Sequence, residues 1–462
     1  MQIKKNDIID LEIDNCGLDG SGIGRHDGLA VFVPSAAKGD VIKAHILKVK
    51  KNCAFAKIEE ILTPSPDRIE CPCPVNMKCG GCSFGQISYE AEARIKENHV
   101  KECFKRIGGL NPEFEPVMKA DKIYGYRNKA QFPVRIDSDD IAIGFYANHS
   151  HRVINCPGCL LQPAEFEGIL GVFTQYIKKY NVSSYDEESH TGLIRHIYIR
   201  KGTASGEIMV CPVINGDSLP GEDELVNMLT ASFEGIKSIV INSNKDKTNV
   251  ILGRNCRTLY GADYITDTLC GLKFRLSPLS FYQVNRDQAE KLYHKAAEYA
   301  GLTGAETLLD LYCGTGTIGL TMADKVKKLI GVEIVPQAIE DAKINAAENG
   351  IDNARFICAD AAEAAKMLTD EGVRPDIIIL DPPRKGCSPE LINTAASMNP
   401  QRIVYVSCDP ATLARDCRLF DELGYKAVKA TPADLFPRTG HVETVVLMTG
   451  KQKNRISEDN LI

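Results

Sequence analysis

The chain has 462 residues, a formal net charge of −6 and a hydrophobic fraction of 44%. This length is too great for one hydrophobic core, so we expect about two to three domains, and the ordinary apolar content excludes extensive disorder. No run approaches the ~18 apolar residues of a membrane span, and the start MQIKKNDIIDLEID is not typical of a signal peptide, so we expect a cytoplasmic protein without membrane contact.

Residues 1–62 consist of short runs with alternating apolar residues and glycine-rich turns. The runs are IIDLEID, LAVFVP, DVIKAHILKVKK and CAFAKIEEIL, and GLDGSGIGRHDG provides the first turn. The pattern predicts a small closed β-barrel of OB-like type. The turn, followed by VFVP and KGD, resembles the TRAM domain, an RNA-binding barrel. That resemblance implies phosphate contacts, although a solvated surface suits the same residues equally well: Arg25, Lys38, Lys48, Lys50 and Lys51.

The central zone, residues 63–271, opens on a cysteine array. Its C-x5-C-x2-C spacing is formed by Cys73, Cys79 and Cys82. Because disulfides are rare in the cytoplasm, clustered cysteines there point to a metal or an iron–sulfur cluster. A fourth thiolate is available as Cys156 or Cys159. Zinc suits four thiolates too, but paired C-x2-C knuckles are its more usual spacing, so the array favours a [4Fe–4S] cluster.

Two basic segments follow the array. YEAEARIKENHVKECFKRIGG predicts an amphipathic helix with a set of basic residues: Arg94, Lys96, Lys101, Lys105 and Arg106. YGYRNKAQFPVRID interleaves aromatic and basic residues: Tyr124, Tyr126, Phe132, Arg127, Lys129 and Arg135. Such interleaving suits stacked bases and phosphates, and it suits an ordinary half-buried strand equally well.

Residues 272–462 alternate apolar strand-like runs with helix-like stretches. The runs are TLLDLY, KKLIGVEIV, ARFICAD, DIIIL, RIVYVSC, YKAVKAT and HVETVVLM. This alternation predicts an α/β domain with a mainly parallel sheet covered on both faces. Seven strands with a closing pair are the architecture of class I, Rossmann-like methyltransferases.

The segment LLDLYCGTGTIGL places three glycines between the first strand and the first helix: Gly314, Gly316 and Gly319. Glycines there let the backbone approach a nucleotide-type ligand. The spacing also satisfies the G-x-G-x-x-G fingerprint of NAD sites, and Glu333 ends the next strand, where it can accept from ribose hydroxyls. The glycines alone therefore do not choose between NAD and S-adenosylmethionine.

Carboxylates favour the methyl donor. Asp310 precedes the glycines, and Asp381 of DPPR ends the fourth strand. Negative charge at these points suits a cationic sulfonium ligand better than a pyrophosphate. Asp360, after ARFICA, lies where an adenine amine is commonly bound, although a helix N-cap explains it equally well.

Cys408 in VYVSCDPATLARD ends the fifth strand, beside the tip that holds Asp381. In an open α/β sheet these ends border the ligand crevice, so the thiol faces a substrate and not the core. Methylation of carbon 5 of uracil needs a thiolate that adds to carbon 6, and then a base that removes the carbon 5 proton. Glu443 on the last strand is the candidate base, and Pro410 ends the fifth strand and begins the next helix.

FYQVN, DLYCGTGTIGL, DPPRKG, SCDPATLARD and HVETVVLM, in this order, resemble the RNA uracil-5-methyltransferases. With the TRAM-like start and the cysteine array, the resemblance points to the iron–sulfur subgroup that modifies 23S ribosomal RNA, and we expect a monomer. It implies that S-adenosylmethionine contacts Gln283, Tyr312, Glu333 and Asp381, and their positions add Gly314 in the glycine turn and Asp360 at the adenine. It implies Cys408 as nucleophile and Glu443 as proton acceptor, with Cys73, Cys79, Cys82 and Cys159 as cluster ligands.

Several interpretations stay open beside this one. Cys71 and Cys156 are spare cysteines that could replace a cluster ligand. The helix at about 89–118 is expected to pack on the catalytic domain, which blurs the boundary at 271. Cytosine-5 methyltransferases also use an attacking cysteine, and a non-catalytic RNA-binding protein with a methyltransferase fold is the alternative from another class.

Overall fold

The structure is a computed structural model that describes residues 3–76, 78–137, 140–148 and 150–450. The last residues of the predicted catalytic domain, 451–462, lie outside the described residues. No helix in the described part of the chain combines the length and the apolar character that crossing a bilayer requires.

Five strands at the amino-terminal end close into a barrel. They are β1 Ile8–Cys16, β2 Ser21–His26, β3 Leu29–Pro34, β4 Val41–Val49 and β5 Cys53–Thr63. Their order is β1-β2-β3-β5-β4, and β4 pairs back onto β1. Alternate residues of each strand fill the barrel interior, so the OB-like barrel that the alternation predicts is confirmed.

The glycine-rich segment predicted as a turn contains strand β2. A Cβ at Gly24 would lie 2.4 Å from the carbonyl oxygen of Glu12 on the neighbouring strand. Glycine is therefore needed for the close packing of β2 on β1. A segment without β-branched runs gives no strand signal, which is why the pattern predicts only a turn.

The central zone forms a seven-stranded sheet with the order β13-β12-β11-β10-β7-β8-β9. Its elements, with two that precede the sheet, are α1 Tyr89–Cys103, β6 Glu113–Phe114, β7 Lys129–Asp137, β8 Asp140–Tyr146, β9 Val153–Asn155, α2 Glu165–Tyr180, β10 Ile194–Lys201, β11 Ile208–Ile214, α3 Glu222–Ser232, β12 Ile236–Ser243 and β13 Asn255–Gly261. Helices α2 and α3 bury one face of the sheet in an apolar core. Tyr198, Met209 and Cys211 on the other face pack against the carboxy-terminal domain.

The carboxy-terminal domain is an eight-stranded sheet with the order β18-β17-β16-β19-β20-β22-β21-β6. Its elements, after the hairpin β14 Ile265–Leu269 and β15 Leu272–Leu276, are α4 Arg286–Ala300, β16 Thr307–Leu311, α5 Thr317–Leu320, β17 Lys328–Glu333, α6 Pro336–Glu348, β18 Ala354–Cys358, α7 Ala361–Asp370, β19 Ile377–Leu380, α8 Pro389–Ser397, β20 Arg402–Ser407, α9 Pro410–Glu422, β21 Tyr425–Ala433 and β22 Glu443–Gly450. All seven predicted strands are present, and the α/β fold is confirmed.

The eighth strand, β6, comes from the central zone. Glu113 and Phe114 pair with Lys429 and Ala430 of β21. Val100 at the end of α1 is buried in the same apolar core as the strands of this sheet. The segment from α1 to β6 therefore lies on the carboxy-terminal sheet, while the domain boundaries at 62 and 271 stay predictions.

Candidate active site

Three strand ends meet at one edge of the carboxy-terminal sheet. Asp381 follows β19, Cys408 follows β20, and Glu443 begins β22. The last ladder pair of β20 and β22 joins Ser407 to Thr444, so the next residues along each strand, Cys408 and Glu443, lie next to each other. The sheet thus brings a thiol and two carboxyl groups to one crevice.

Helix α9 begins directly after the thiol. Asp409 accepts hydrogen bonds from the backbone N–H groups of Ala411 at 3.0 Å and Thr412 at 2.9 Å. Pro410 occupies the first helical position, as predicted from its missing N–H and fixed φ. The change from strand to helix leaves Cys408 half-buried at the rim.

These groups hold their protons more tightly than usual. Burial and the carboxylates of Glu443 and Asp381 raise the pKa of the Cys408 thiol to about 11, although Arg384 lowers it. Burial and Asp381 raise the pKa of Glu443 to about 8, against the same arginine. Burial alone raises the pKa of Asp381 to about 7. A bound cation would favour the ionised form of all three.

The glycine turn after β16 has the backbone of a ligand site. Tyr312 has a φ of +71°, which is costly for a side chain of its size, and Gly314 has a φ of +54°. A Cβ at Gly314 would have nothing within 4 Å, so the space beside this glycine is open. At Gly319 a Cβ would lie 2.8 Å from the Oδ2 atom of Asp310, which accepts the Gly319 N–H at 2.9 Å.

Asp310 adds a further buried carboxyl. Burial raises its pKa to about 8, and Asp381 and Glu333 raise it too, whereas the Gly319 N–H lowers it. No lysine or arginine in the described ranges lies within ion-pair distance of Asp310, Asp381 or Glu443. The crevice therefore gathers three buried carboxyl groups that form no ion pair with a described cation, and their raised pKa values keep many of them protonated near neutral pH.

Glu333 contacts the turn directly, and the loop that holds Gln283 reaches it through the Phe281 carbonyl, which accepts from the Thr315 hydroxyl at 3.5 Å. Glu333 accepts the Gly314 N–H at 3.2 Å and the Val335 N–H at 3.0 Å. Ile334 beside it is 61% exposed, which offers an apolar surface at the same edge. Gln283 is half-buried in the loop before α4, and its carbonyl accepts from the side chain of Asn128 at 3.0 Å.

Asp360 caps helix α7. Its Oδ1 atom accepts the backbone N–H of Ala362 at 2.9 Å, which is the capping alternative that the sequence leaves open. Asp360 is also exposed at the end of β18, which pairs with the strand that ends at Glu333. The adenine contact stays a prediction beside the capping role.

Two residues of the crevice are missed as site residues by the sequence. Arg384 is the one cation that lowers the pKa of both Cys408 and Glu443 in the described structure. Its Nη2 atom lies 3.4 Å from Nδ1 of His441, whose ring is 5.8 Å from that of Phe436. Arg384 belongs to the motif DPPRKG and His441 to HVETVVLM. Their closeness in sequence to Asp381 and Glu443 could therefore have identified them as site residues.

The cysteines of the central zone gather around the connection between β8 and β9. An isolated antiparallel bridge joins Cys79 to Ala147, and Cys156 follows β9 directly. Burial raises the pKa of Cys73, Cys79 and Cys82, and the charge of Cys159 raises each of them as well. The pKa of Cys159 is lowered, first because the Cys156 thiol donates a hydrogen bond to it. The four predicted ligands are thus neighbours.

These four thiols are the type of donor that an iron–sulfur cluster takes. No three His, Cys, Asp or Glu side chains in the described ranges are arranged to hold one metal ion. In a [4Fe–4S] cluster each thiolate binds a different iron, so the sulfurs surround a volume and do not converge on a point. The donor chemistry is therefore compatible with the predicted cluster.

The predicted RNA-binding cations differ in whether they form ion pairs with acidic side chains. On helix α1 and just after it, Arg94, Lys101 and Arg106 form ion pairs with acidic neighbours, and Lys96 is fully buried. Phe132 is fully buried as well, which removes it as a base-stacking residue. In the barrel, by contrast, the five predicted phosphate ligands form no ion pair with any described residue: Arg25, Lys38, Lys48, Lys50 and Lys51.

Comparison with known proteins agrees with these features. Residues 242–451 match the family tRNA (uracil-5-)-methyltransferase, and residues 4–58 match the TRAM domain. A Clostridium tetani protein named as an uncharacterized RNA methyltransferase is 45% identical over 447 residues, 97% of each chain. A Clostridium acetobutylicum protein of the same description is 44% identical and covers 96% of this chain and 98% of its own.

One solved structure is similar over the whole length. It is the Pyrococcus abyssi tRNA (uracil-54, C5)-methyltransferase in complex with S-adenosyl-L-homocysteine, with a TM-score of 0.77 and 28% sequence identity. The match covers 95% of this chain and 99% of that chain.

Proposed function

The chain belongs to the RNA uracil-5-methyltransferase family, and from this premise we propose that it methylates carbon 5 of uridine in 23S ribosomal RNA, as a monomer. The observation that carries the proposed reaction is the pair of Cys408 and Glu443, adjacent at the sheet edge beside the buried carboxyl groups of Asp310 and Asp381. A nucleophile and a base at one crevice are what this reaction needs.

S-adenosylmethionine, which the family uses, supplies a methyl group on a positively charged sulfur. Six residues would hold it: Gln283, Tyr312, Gly314, Glu333, Asp360 and Asp381. The open space at Gly314 admits the ligand, and the exposed Ile334 offers an apolar contact for a base. The carboxylates of Asp310 and Asp381 favour a cation in this pocket.

Cys408 begins the reaction on the uracil ring. Its thiol loses a proton to solvent, and the sulfur adds to carbon 6, which moves the electron pair of the 5,6 double bond into an enolate. Carbon 5 then takes the methyl group as the methyl–sulfur bond of the donor breaks. Arg384, which lowers the pKa of the thiol, helps to form the thiolate.

Glu443 completes the reaction. Its ionised carboxylate removes the proton from carbon 5, the 5,6 double bond forms again, and the bond between the Cys408 sulfur and carbon 6 breaks. With a pKa of about 8, Glu443 holds the proton that it takes more firmly than an ordinary carboxylate does. The nucleophile is then free for another cycle.

A trapping experiment tests the mechanism directly. Fluorine at carbon 5 cannot leave as a proton does, so RNA that contains 5-fluorouridine should form a covalent adduct that survives denaturation. The adduct should be absent with Cys408→Ala and present with Cys417→Ala, a buried cysteine of α9. An adduct with Cys408→Ala would contradict the assignment of the nucleophile.

The choice of RNA needs its own experiment, because the similar Pyrococcus abyssi protein is named for tRNA. Transcripts of 23S ribosomal RNA and of tRNA, both with 5-fluorouridine, can be compared in the same trapping assay. We expect the adduct on 23S RNA. Mass spectrometric mapping of RNA from a strain that lacks the protein would then identify the uridine.

We also propose that Cys73, Cys79, Cys82 and Cys159 hold a [4Fe–4S] cluster, because these thiols are neighbours of one another. The purified protein should be brown, with broad visible absorption that is lost in Cys82→Ser and kept in Cys53→Ser, a cysteine of the barrel. A colourless protein with stoichiometric zinc would overturn this assignment.

A further inference from the structure

Two cations stand where the central sheet meets the loop before α4. Arg127 and Lys129 flank Asn128, whose N–H donates to the carbonyl of Val284 at 2.8 Å and whose side chain donates to that of Gln283 at 3.0 Å. These bonds fix the two basic residues beside the loop that leads into the proposed donor site. Both residues are half-buried, so each keeps an exposed part.

Neither cation is balanced by a carboxylate. Arg127 and Lys129 form no ion pair with any described residue, and the Nε atom of Arg127 is buried without a hydrogen-bond partner. Burial lowers the pKa of Lys129 to about 8, and the charges of Arg200 and Arg127 lower it too. Arg200, which pairs with Lys129 across the strands, donates to the carbonyls of Ser277 and Ser280, both at 2.7 Å.

The pair lies on a path that leads to the proposed nucleophile. The Arg127 guanidinium stands 5.8 Å from the centre of the Phe436 ring. Phe436 contacts His441, and His441 lies 3.4 Å from Arg384, the cation that acts on Cys408. Positive charge thus follows one edge of the crevice away from the thiol.

We propose that Arg127 and Lys129 form a binding site for a phosphate of the RNA strand next to the target uridine. This inference rests on the proposed function. The charge of Arg127 lowers the pKa of the Cys82 and Cys159 thiols, whereas the charges that act on Lys129 are those of Arg200 and Arg127. A phosphodiester at the pair would supply the negative charge that Lys129 lacks. Four other cations of the two basic segments do have acidic partners: Arg94, Lys101, Arg106 and Arg135.

The contact would position the strand and not select its sequence, because phosphate contacts carry no base information. The target uridine has to leave its stack to reach a thiol inside a crevice. A phosphate held at the rim would fix the backbone on one side of the extruded nucleotide.

The test is the salt dependence of binding to a short fluorescein-labelled single-stranded RNA that contains uridines. Lys129→Gln and Arg127→Gln should each lower the slope of log affinity against log salt by about 0.7 and weaken binding about fivefold near 0.1 M salt. The matched controls are Lys119→Gln and Arg94→Gln, exposed residues with acidic partners, which should keep the wild-type slope.

Two further measurements separate the alternatives. Affinity for S-adenosylmethionine should not change in the variants, and a loss there instead of in RNA binding would assign the pair to the donor's carboxylate and overturn the proposal. An unchanged slope in both variants, with wild-type thermal unfolding, would overturn it as well. The wild-type adduct with 5-fluorouridine RNA is the separate test of the proposed function, so failure of the phosphate site leaves that adduct intact.

Discussion

Two groups of buried charge in this molecule are built in opposite ways. One group lies between α1 and the loop after β21, and it consists of Glu92, Lys96, Asp434 and Arg438. Lys96 donates to Glu92 at 2.8 Å and to Asp434 at 2.7 Å, and the Arg438 backbone N–H donates to Glu92 at 2.7 Å. Two positive and two negative groups balance each other.

The other group lies at the sheet edge and consists of carboxyl groups: Asp310, Asp381 and Glu443. Burial raises the pKa of each of these carboxyl groups, and none has a cation in ion-pair contact among the described residues. Burial raises the pKa of Glu92 in the first group as well, but there Lys96 and Arg438 act against the rise. Burial of an unpaired charge is expensive, so a fold that serves stability alone has no reason to keep three of them together. The balanced group holds the loop before Glu443 in place, and the unbalanced group is left for a ligand and for chemistry.

The largest effect on activity is expected from a substitution in the group of unpaired carboxyl groups. Glu443→Gln removes the base but keeps the shape, so methyl transfer should proceed while the enzyme stays attached to the methylated RNA, with release slowed by roughly 10²- to 10⁴-fold. The measurement is a denaturing gel of a single-turnover reaction with labelled RNA. Release at the wild-type rate would remove Glu443 from the role of proton acceptor.

Removing the lysine from the balanced group should lower the stability of the folded protein. Lys96→Met leaves two buried carboxyl groups without their shared cation, and we expect a loss of about 3–5 kcal/mol in the free energy of unfolding. Urea denaturation followed by circular dichroism measures it. If Lys96→Met were as stable as the wild type, the ion pairs of this group would not hold α1 to the loop.

A pH series sharpens the comparison. Asp381, with a pKa of about 7, and Asp310, with a pKa of about 8, lose their protons as the pH rises, and only the ionised forms attract a sulfonium. Binding of S-adenosylmethionine should therefore tighten between about pH 6 and about pH 9, at most about tenfold per pH unit for each carboxyl. Calorimetry in these buffers measures the change.

The matched ligand for that series is S-adenosylhomocysteine, which has the same groups but no positive sulfur. Its affinity should depend on pH much less. An equal pH dependence for both ligands would mean that these carboxylates do not respond to the sulfonium.

The smallest effect is expected at an exposed ion pair of α1. Lys101 pairs with Glu97 at 2.6 Å, but its side chain is 41% exposed. Lys101→Met should change the free energy of unfolding by less than about 1 kcal/mol, because solvent already screens the pair. The same urea titration serves as the control for Lys96→Met, and a loss as large as that of the buried lysine would contradict the distinction between the two groups.

Much of the fold follows from local sequence pattern. Apolar runs of the right length mark all seven predicted strands of the carboxy-terminal sheet, since a strand covered on both faces must be apolar throughout. Strand β6 is missed because two residues, Glu113 and Phe114, have no pattern of their own and become a strand only beside β21. Strand β2 is missed because its glycines resemble a turn.

The residues of the candidate site also divide into those that the local sequence predicts and those that it does not. The motifs place Asp381 and Cys408 after the parallel strands β19 and β20, so these two residues meet at one edge. Glu443 reaches the same edge because it begins β22, which runs antiparallel to β20. The positions within the aromatic and basic segment are not predictable: Phe132 enters the core, Arg135 pairs with Asp186, and Lys129 forms no ion pair with a residue that the structure describes. The burial and the pairing of these side chains depend on neighbours that are distant in sequence.

The sequence by itself determined the barrel, the α/β sheet, the glycine turn and the residues at its rim, because each follows from periodicity or from a short motif. Only the tertiary structure decided which charges are balanced. Lys96 on a predicted amphipathic helix is buried because Asp434, 338 positions away, folds onto it. Whether a charge is neutralised depends on what packs against it in three dimensions, and this separates the residues that hold the fold from those free to meet a cofactor or RNA.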